Sequence, residues 1–313
     1  MRKACSFLPA ATQMIYDLGL QNQLGGVTFE CPAEARAEKP AVVRYVLEGK
    51  DYSSAEIDRI FSASKAQGKS LYYVDDDVLR AAAPDVVFTQ DVCDVCQIDT
   101  ACTTAAIAKL PNVPELVSIT PQSLEDVFGS VVTIATALGA EEVAYRHLAQ
   151  LRQRLNFIVD QLRAHRAMPR RVSLLEWIDP IYNCGHWIPD QIAYAGGTDL
   201  LAHPSGDSIV TPWEKIVRYD PDVLVVAPCG FTVRRSLEEL SCLTERPGWA
   251  KLRAVRTQRV FVVDYDLFTQ SSATTLVDGI ELLAALFHPD IFSVPPALMN
   301  KYQLLATAAS ISR

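Results

Sequence analysis

The fold is decided by residues 140–166, AEEVAYRHLAQLRQRLNFIVDQLRAHR. Apolar side chains recur in this stretch at spacings of three, four or a little more, which is typical of one apolar helix face: Val143, Leu148, Leu151, Leu155, Ile158, Val159 and Leu162. A helix of about 25 residues is ~40 Å long at ~1.5 Å per residue, enough to join two lobes. A coiled coil is the alternative, but the stretch holds too few heptads to favour it. We therefore predict one long linking helix, whose stiffness would keep any closure of the lobes small.

The two halves of the chain on either side of this stretch repeat one pattern. AAAPDVVFTQDVC (residues 81–93) and VRYDPDVLVVAPCGF (residues 217–231) each contain a helix end, Pro-Asp, an apolar strand and a Cys just beyond it. Strands and helices alternate through both halves. This order predicts an α/β fold of two doubly wound lobes with parallel sheets, whose strand-end loops face each other across a cleft. The predicted boundaries are 1–120 for the first lobe, 121–168 for the helical segment and 169–313 for the second lobe.

Composition and charge exclude several classes of protein. The 313 residues are 49% hydrophobic and 21% charged, as in globular proteins. The net charge of −8 argues against binding to nucleic acid, which needs a basic face. No run of ~20 apolar residues is present, so we predict no membrane span. The first 20 residues lack the apolar core of a secretion signal, which predicts a cytoplasmic location, where the eight cysteines would be thiols, ligands or redox groups.

Several quoted motifs resemble one family over nearly the whole chain. SFLPAATQMIYDLGL (residues 6–20), LEWIDPIYNCGHWIPDQIAYAGG (175–197) and DGIELLAALFHPD (278–290) resemble the helical-hinge class, class III, of the periplasmic-binding-protein superfamily. Within it the sequence looks like the cobalamin-binding branch, related to the vitamin B12 carriers of ABC importers. The resemblance implies a corrinoid or metal-chelate ligand and an ABC importer as partner. The chain departs from these relatives at Phe29-Glu30-Cys31 and at TQSSATT (269–275), where arginines are missing from a cleft loop, which should change the anion or amide that the site accepts.

The segment EWIDPIYNCGHW, residues 176–187, concentrates aromatic and polar side chains in one predicted loop after a strand. Aromatic faces can cover a large flat ligand such as a corrin ring while a few polar groups orient it. We take the following as ligand-contacting candidates from this segment: Trp177, Asp179, Tyr182, His186 and Trp187. His186 could bind cobalt or the ligand's edge, or be a structural histidine.

Further ligand-binding candidates lie near other strand ends: Ser6, Thr12, Glu30, Asp91, Cys229, Gly230 and Phe268. Ser6 and Thr12 flank the start of the first helix, where backbone N–H groups could hold an anion or amide. Glu30 and Asp91 each follow a strand of the first lobe. They could work as an acid–base pair, but capping or accepting hydrogen bonds from ligand amides is the favoured interpretation.

The thiols leave three interpretations open. Cys93, Cys96 and Cys102 have a Cys-x2-Cys-x5-Cys spacing, and Cys31 or Cys184 could complete four ligands for an iron–sulfur cluster or zinc. A zinc ribbon would need a second Cys-x2-Cys pair, which the chain lacks. Plain packing cysteines and a redox pair are the other two interpretations. We predict non-catalytic binding of a corrinoid or another large metal chelate, and the alternative is a metalloprotein or redox protein that uses a Cys-ligated metal in the same cleft.

Overall fold

The computed structural model describes residues 1–67, 69–90, 98, 100–270 and 272–305. Strands occupy β1 (Ala4–Ser6), β2 (Leu24–Thr28), β3 (Ala41–Tyr45), β4 (Tyr72–Val74), β5 (Val86–Thr89), β6 (Glu115–Ser118), β7 (Arg170–Ile178), β8 (Ile181–Asn183), β9 (Gly185–His186), β10 (Gly197–Thr198), β11 (His203–Pro204), β12 (Ile209–Val210), β13 (Val223–Val226), β14 (Val260–Val263) and β15 (Tyr302–Leu304). Helices occupy α1 (Pro9–Asp17), α2 (Ala33–Glu38), α3 (Ser54–Ala66), α4 (Asp76–Ala82), α5 (Thr100–Ile107), α6 (Leu124–Ala137), α7 (Glu141–Ala164), α8 (Ile188–Tyr194), α9 (Trp213–Tyr219), α10 (Val233–Glu238), α11 (Ser241–Thr244), α12 (Arg253–Arg256) and α13 (Ala273–Phe287).

The first lobe is built on a six-stranded sheet of order β4-β3-β2-β1-β5-β6. All neighbours pair in parallel except β3 and β4, which are antiparallel. Parallel strands bring their C-terminal ends to one edge, so the residues after β1, β2 and β5 share that edge. Helix α3 begins with a reciprocal capping box, which Ser53 and Glu56 form at its N-terminus.

The second lobe has a seven-stranded sheet of order β12-β8-β7-β13-β14-β15, with β10 paired to β7. Its centre, β7-β13-β14, is parallel, and antiparallel strands flank it on both sides. The prediction of two α/β lobes with parallel sheets is therefore confirmed, with antiparallel strands added at the sheet edges. Residues 176–187 are not one loop: they contain the end of β7, a tight turn, and strands β8 and β9. This β-hairpin was missed because its strands are only two or three residues long.

The long helix between the lobes is present as α7, which has 24 residues and is therefore ~36 Å long. Its buried positions are close to the predicted stripe: Ala144, Leu148, Leu151, Leu155 and Ile158. Helices α6 and α13 pack against it. Arg154 of α7 also binds two carboxylates of α13, Asp278 at 2.5 Å and Glu281 at 2.8 Å.

One hydrophobic cluster runs through both lobes. It joins β1, β2 and β5 of the first sheet to β7, β13 and β14 of the second through α1, α6, α7, α8 and α13. Two smaller clusters each stay within one lobe. The lobes are therefore connected by a continuous apolar core as well as by the chain. Among the described residues no helix has the length and apolar character needed to cross a membrane.

Candidate ligand-binding cleft

Contacts between the lobes show which strand ends face each other. Burial raises the pKa of Tyr182 of β8, and the nearby Asp58 carboxylate of α3, in the first lobe, raises it further. Glu30, just after β2, is close enough to Tyr265, just after β14, to raise the pKa of that phenol. The C-terminal edges of the two sheets therefore lie opposite each other, and the cleft between them is the candidate binding site.

The first lobe contributes a cluster of four aromatic rings to this edge. Phe29 follows β2, Tyr45 ends β3, Tyr72 begins β4, and Phe61 lies on α3. Tyr45 is stacked on Phe29, with ring centroids 5.4 Å apart, and on Tyr72, at 5.1 Å. Phe61 completes the cluster at 6.2 Å from Tyr45. Phe29, Tyr45 and Phe61 are half-buried, so this cluster offers ring faces and edges to a ligand.

The second lobe contributes Trp177, which packs on the buried Phe231 with ring centroids 5.2 Å apart. Trp177 is half-buried, and its indole Nε1–H is shielded from solvent and has no hydrogen-bond acceptor among the described residues. Buried N–H groups are nearly always paired, so an unpaired one at the end of a strand marks a place where a ligand acceptor fits. Cys229 lies beside this pair, because its backbone N–H donates to the Glu176 carbonyl at 2.9 Å.

Glu30 and Tyr265 supply polar groups from opposite lobes. The Glu30 carboxylate is open to water along the cleft, yet surrounding protein atoms partly desolvate it and raise its pKa to about 7. Burial also raises the pKa of Tyr265, and the carboxylates of Glu30, Asp266 and Asp264 raise it further. Tyr265 therefore stays a neutral donor at neutral pH.

Charge around the second-lobe side of the cleft is mainly negative. Lys301 neutralises part of it through Asp266 at 2.7 Å and Asp264 at 3.2 Å. Asp179, in the turn between β7 and β8, reaches Arg246 only at 3.9 Å. Among the residues that the structure describes, this side of the cleft therefore has more carboxylates than unpaired cations that a ligand could contact.

Several predicted ligand-contacting groups are used inside the protein. Ser6 has no exposed surface, and its hydroxyl donates to the Leu8 carbonyl at 2.8 Å. Thr12 is also fully buried and contacts the Cys31 sulfur at 3.1 Å. Burial raises the pKa of the Cys31 thiol, so it stays protonated. These three residues stabilise the packing of α1 on the loop after β2.

Four candidates of the second lobe are likewise placed by internal contacts. Trp187 is almost fully buried and donates its indole N–H to the Phe268 carbonyl at 2.6 Å, and the Phe268 side chain has no exposed surface. His186 contacts Asp207 at 3.5 Å, and burial lowers its pKa. Gly230 is exposed, with a φ of +77° that allows the turn after β13. Of these four, only Gly230 lies at an exposed strand end.

The metal-ligand hypothesis gains nothing from the described residues, among which no three His, Cys, Asp or Glu side chains form a group that could hold a metal ion. Cys184 is fully buried beside Asp199 in the second lobe, and burial keeps its pKa well above the usual value. Cys31 and Cys184 belong to different lobes, and Cys102 packs on α5 in the first-lobe core. Asp91, Cys93 and Cys96 lie outside the described residues.

Sequence reasoning missed the first-lobe ring cluster as well as Phe231 and Tyr265. The sequence signal for Phe231 and Tyr265 was available, because each follows an apolar strand by two to five residues, as the predicted candidates do. The ring cluster was harder to find, since Phe29, Tyr45, Phe61 and Tyr72 are spread over more than 40 residues and only the sheet order brings them together.

Comparison with known proteins identifies the family. The Periplasmic binding protein family matches residues 10–267. An uncharacterized ABC transporter substrate-binding lipoprotein of Bacillus subtilis, YvrC, is 25% identical over 297 residues, which are 93% of this chain and 81% of that protein. A periplasmic heme-binding protein of Pseudomonas aeruginosa superposes with a TM-score of 0.71 at 18% identity, covering 98% of this chain and 99% of that one. The periplasmic vitamin B12-binding protein BtuF of Vibrio cholerae superposes with a TM-score of 0.61 at 17% identity, covering 92% and 97%.

The chain therefore belongs to the periplasmic binding protein family, and the predicted resemblance is confirmed at that level. Solved structures that share its fold include a heme-binding protein, a vitamin B12-binding protein and an ABC-type Fe3+-hydroxamate transport system of Saccharomonospora viridis. The predicted cytoplasmic location is wrong, because the family is periplasmic and the Bacillus relative is a lipoprotein. The prediction was based on the lack of a secretion signal, and such an absence does not establish where a protein acts.

Proposed function

We propose that this member of the periplasmic binding protein family is an extracytoplasmic substrate-binding protein that delivers a corrinoid of the cobalamin type to an ABC importer. The observation that carries the proposal is the pair of aromatic surfaces on opposite sides of one cleft. The rings of Phe29 and Tyr45 lie at the first-lobe edge, and the ring of Trp177, packed on the buried Phe231, lies at the second-lobe edge. Large flat ligands are held in this way, between rings that cover their faces.

The polar groups of the cleft suit a ligand edge rich in amides. The Trp177 Nε1–H is a donor without an acceptor, and Tyr265 is a neutral donor. Glu30 can accept from an amide N–H when ionised and can donate when protonated. A corrin carries peripheral amides that offer both donors and acceptors, so these three side chains can fix its orientation.

The charge of the site favours a corrin over heme. Heme carries two carboxylates at its edge, and these would face Glu30, Asp264 and Asp266 at a site where Lys301 is already paired. Like charges held close together disfavour binding. The histidines give heme no added support, because their hydrogen bonds and ion pairs among the described residues go to groups other than Glu30, Trp177 and Tyr265.

The proposal is tested by incubating the purified protein with cyanocobalamin, dicyanocobinamide or hemin and measuring the ligand absorbance that co-elutes on gel filtration. We expect ~1:1 retention of a corrinoid and weaker retention of hemin. Retention of hemin alone contradicts the corrinoid assignment. Iron with sulfide in the protein as purified would favour the alternative, a Cys-ligated cluster that uses Cys93 and Cys96.

A single substitution tests the role of the indole donor. Trp177→Phe keeps an aromatic ring but removes the N–H, so we expect cyanocobalamin affinity measured by calorimetry to fall about 5–10-fold, the equivalent of one net hydrogen bond of ~1 kcal/mol. Trp213→Phe is the matched control, because Trp213 donates its indole N–H to the Pro247 carbonyl at 2.8 Å, on α9 and away from the cleft. Equal losses in both variants would contradict a direct contact between Trp177 and the ligand.

A further inference from the structure

A second-lobe carboxylate meets the N-terminus of α3 in the first lobe. Glu239, the residue after α10, accepts hydrogen bonds from the Ser54 backbone N–H at 2.9 Å and from the Ser54 hydroxyl at 2.5 Å. The first backbone N–H groups of a helix have no partner within the helix and carry partial positive charge. The Ser53 side chain accepts a hydrogen bond from the backbone N–H of Glu56. Glu239 accepts from another of these N–H groups, that of Ser54. The Glu239 side chain is only 12% exposed, which strengthens the contact.

Arg235 adds a second link at the same place. Its Nη2 donates to the Tyr52 carbonyl of the first lobe at 2.7 Å and also to the Glu239 carboxylate. The guanidinium therefore bridges the two lobes and orients Glu239 toward Ser54. The Asp58 carboxylate of the same helix α3 also lies near Tyr182 of the second lobe and raises its pKa after the effect of burial. The lobes are thus joined at α3 as well as through the packing of α6, α7 and α13.

The same arginine also contacts the aromatic pair of the cleft. Its guanidinium carbon lies 4.5 Å from the centroid of the Phe231 ring, within cation–π distance. Phe231 in turn packs against Trp177. Arg235 therefore touches the first lobe on one side and a ring of the candidate ligand site on the other.

We infer that Arg235 and Glu239 form an interlobe clasp with Tyr52 and Ser54, and that Arg235 is a positioning residue that couples the packing of Phe231 to the docking of α3. The link to ligand binding rests on the proposed function, whereas the link between the lobes does not. When the clasp is formed, Phe231 is held against Trp177 and the lobes stay together. When it is broken, both the ring and the lobe contact loosen.

The clasp offers a matched control on the neighbouring residue Arg234. Arg234 is 92% exposed, pairs with Glu238 at 3.5 Å and has no hydrogen bond to the first lobe among the described residues. Glu238 is not used as a control, because it also lies 3.7 Å from Arg235. Glu239→Ala and Arg235→Ala are therefore compared with Arg234→Ala.

Hydrogen exchange of the ligand-free protein tests the clasp by itself. We expect Glu239→Ala and Arg235→Ala to exchange at least fivefold faster in a first-lobe peptide spanning residues 52–58, with the peptide of β5 unchanged, and Arg234→Ala to match wild type. If Glu239 and Arg235 only stabilised their own part of the second lobe, their substitution would not change amide exchange in a first-lobe peptide. Wild-type exchange in both clasp variants would overturn the clasp. If one clasp variant fails to fold, the other decides.

Ligand dissociation tests the coupling to Phe231. With cyanocobalamin as the probe, we expect stopped-flow dissociation to be about tenfold faster for Arg235→Ala than for Arg234→Ala. An unchanged rate together with faster exchange would overturn the coupling while leaving the clasp in place. If wild-type protein binds no cyanocobalamin, the proposed ligand is wrong, and the exchange result still supports or overturns the clasp.

Discussion

Asp199 shows how one side chain organises the loop region of the second lobe. Its carboxylate accepts hydrogen bonds from the Leu174 N–H at 3.0 Å, the Asn183 side-chain amide at 3.2 Å and the Leu201 N–H at 2.9 Å. Burial raises the pKa of Asp199, although the three donors oppose the shift. The carboxylate thus ties the strand β7, the hairpin strand β8 and the chain after β10 together, and so supports the position of Trp177 at the end of β7.

We expect Asp199→Ala to lower the free energy of unfolding by about 2–3 kcal/mol, because it leaves buried donors without an acceptor. Urea denaturation followed by circular dichroism measures the change. Asp207→Ala is the control, since the Asp207 side chain is 83% exposed, and we expect a loss of less than about 0.5 kcal/mol. A loss for Asp199→Ala no larger than for Asp207→Ala would show that water replaces the carboxylate at no cost.

At the scale of elements, α13 packs against the second-lobe cleft loop without space for a side chain at Gly279. A Cβ there would collide with the Leu267 carbonyl oxygen and lie 2.9 Å from Gln191 Nε2. Gln191 itself donates to the carbonyls of Leu267 and Leu276, both at 2.9 Å. Helices α8 and α13 therefore fix the 3-10 turn that carries Tyr265.

Two glycine substitutions in helices should have opposite effects. Gly279→Ala should destabilise the protein by about 2–3 kcal/mol through overpacking. Gly129→Ala, on the exposed face of α6 where a Cβ meets nothing within 4 Å, should stabilise it by about 0.5–1 kcal/mol through helix propensity. Thermal and urea unfolding of both variants measure the difference. Similar effects of either sign in the two variants would contradict the close packing at Gly279.

Helices and strands were predicted well from the sequence where a regular apolar pattern continued over many residues or an apolar run was uninterrupted. The stripe of α7 and the buried strands β5 and β13 were confirmed, because each is determined by local residues. The site was predicted less completely. Trp177 and Cys229 lie near the cleft, but the buried Phe268 and the half-buried Phe29 both follow a strand and have the same appearance in a sequence. Their difference comes from packing against distant segments, which no local pattern contains.

At the scale of the whole molecule, the continuous core predicts how the protein unfolds. Apolar residues of both sheets belong to one cluster with α1, α6, α7, α8 and α13. Separation of the lobes would expose this shared apolar surface, which costs about 25 cal/mol per Å². The lobes therefore stabilise each other and are not independent folding units.

We expect one cooperative thermal transition for the ligand-free protein, with equal calorimetric and van't Hoff enthalpies. Differential scanning calorimetry measures both. Ligand at 100 times its Kd should stabilise the folded protein by about 2.7 kcal/mol. The transition temperature should therefore rise, and the transition should remain single. Two resolved transitions in the free protein would mean that the shared core contributes little to coupling the lobes.

The helical connection also bears on how a bound ligand would leave. Helices α6 and α13 both pack against α7, so widening the cleft would require packed helices to bend or shift. Under the proposed function, spontaneous release would therefore be slow, and the importer that receives the ligand would supply the work of opening.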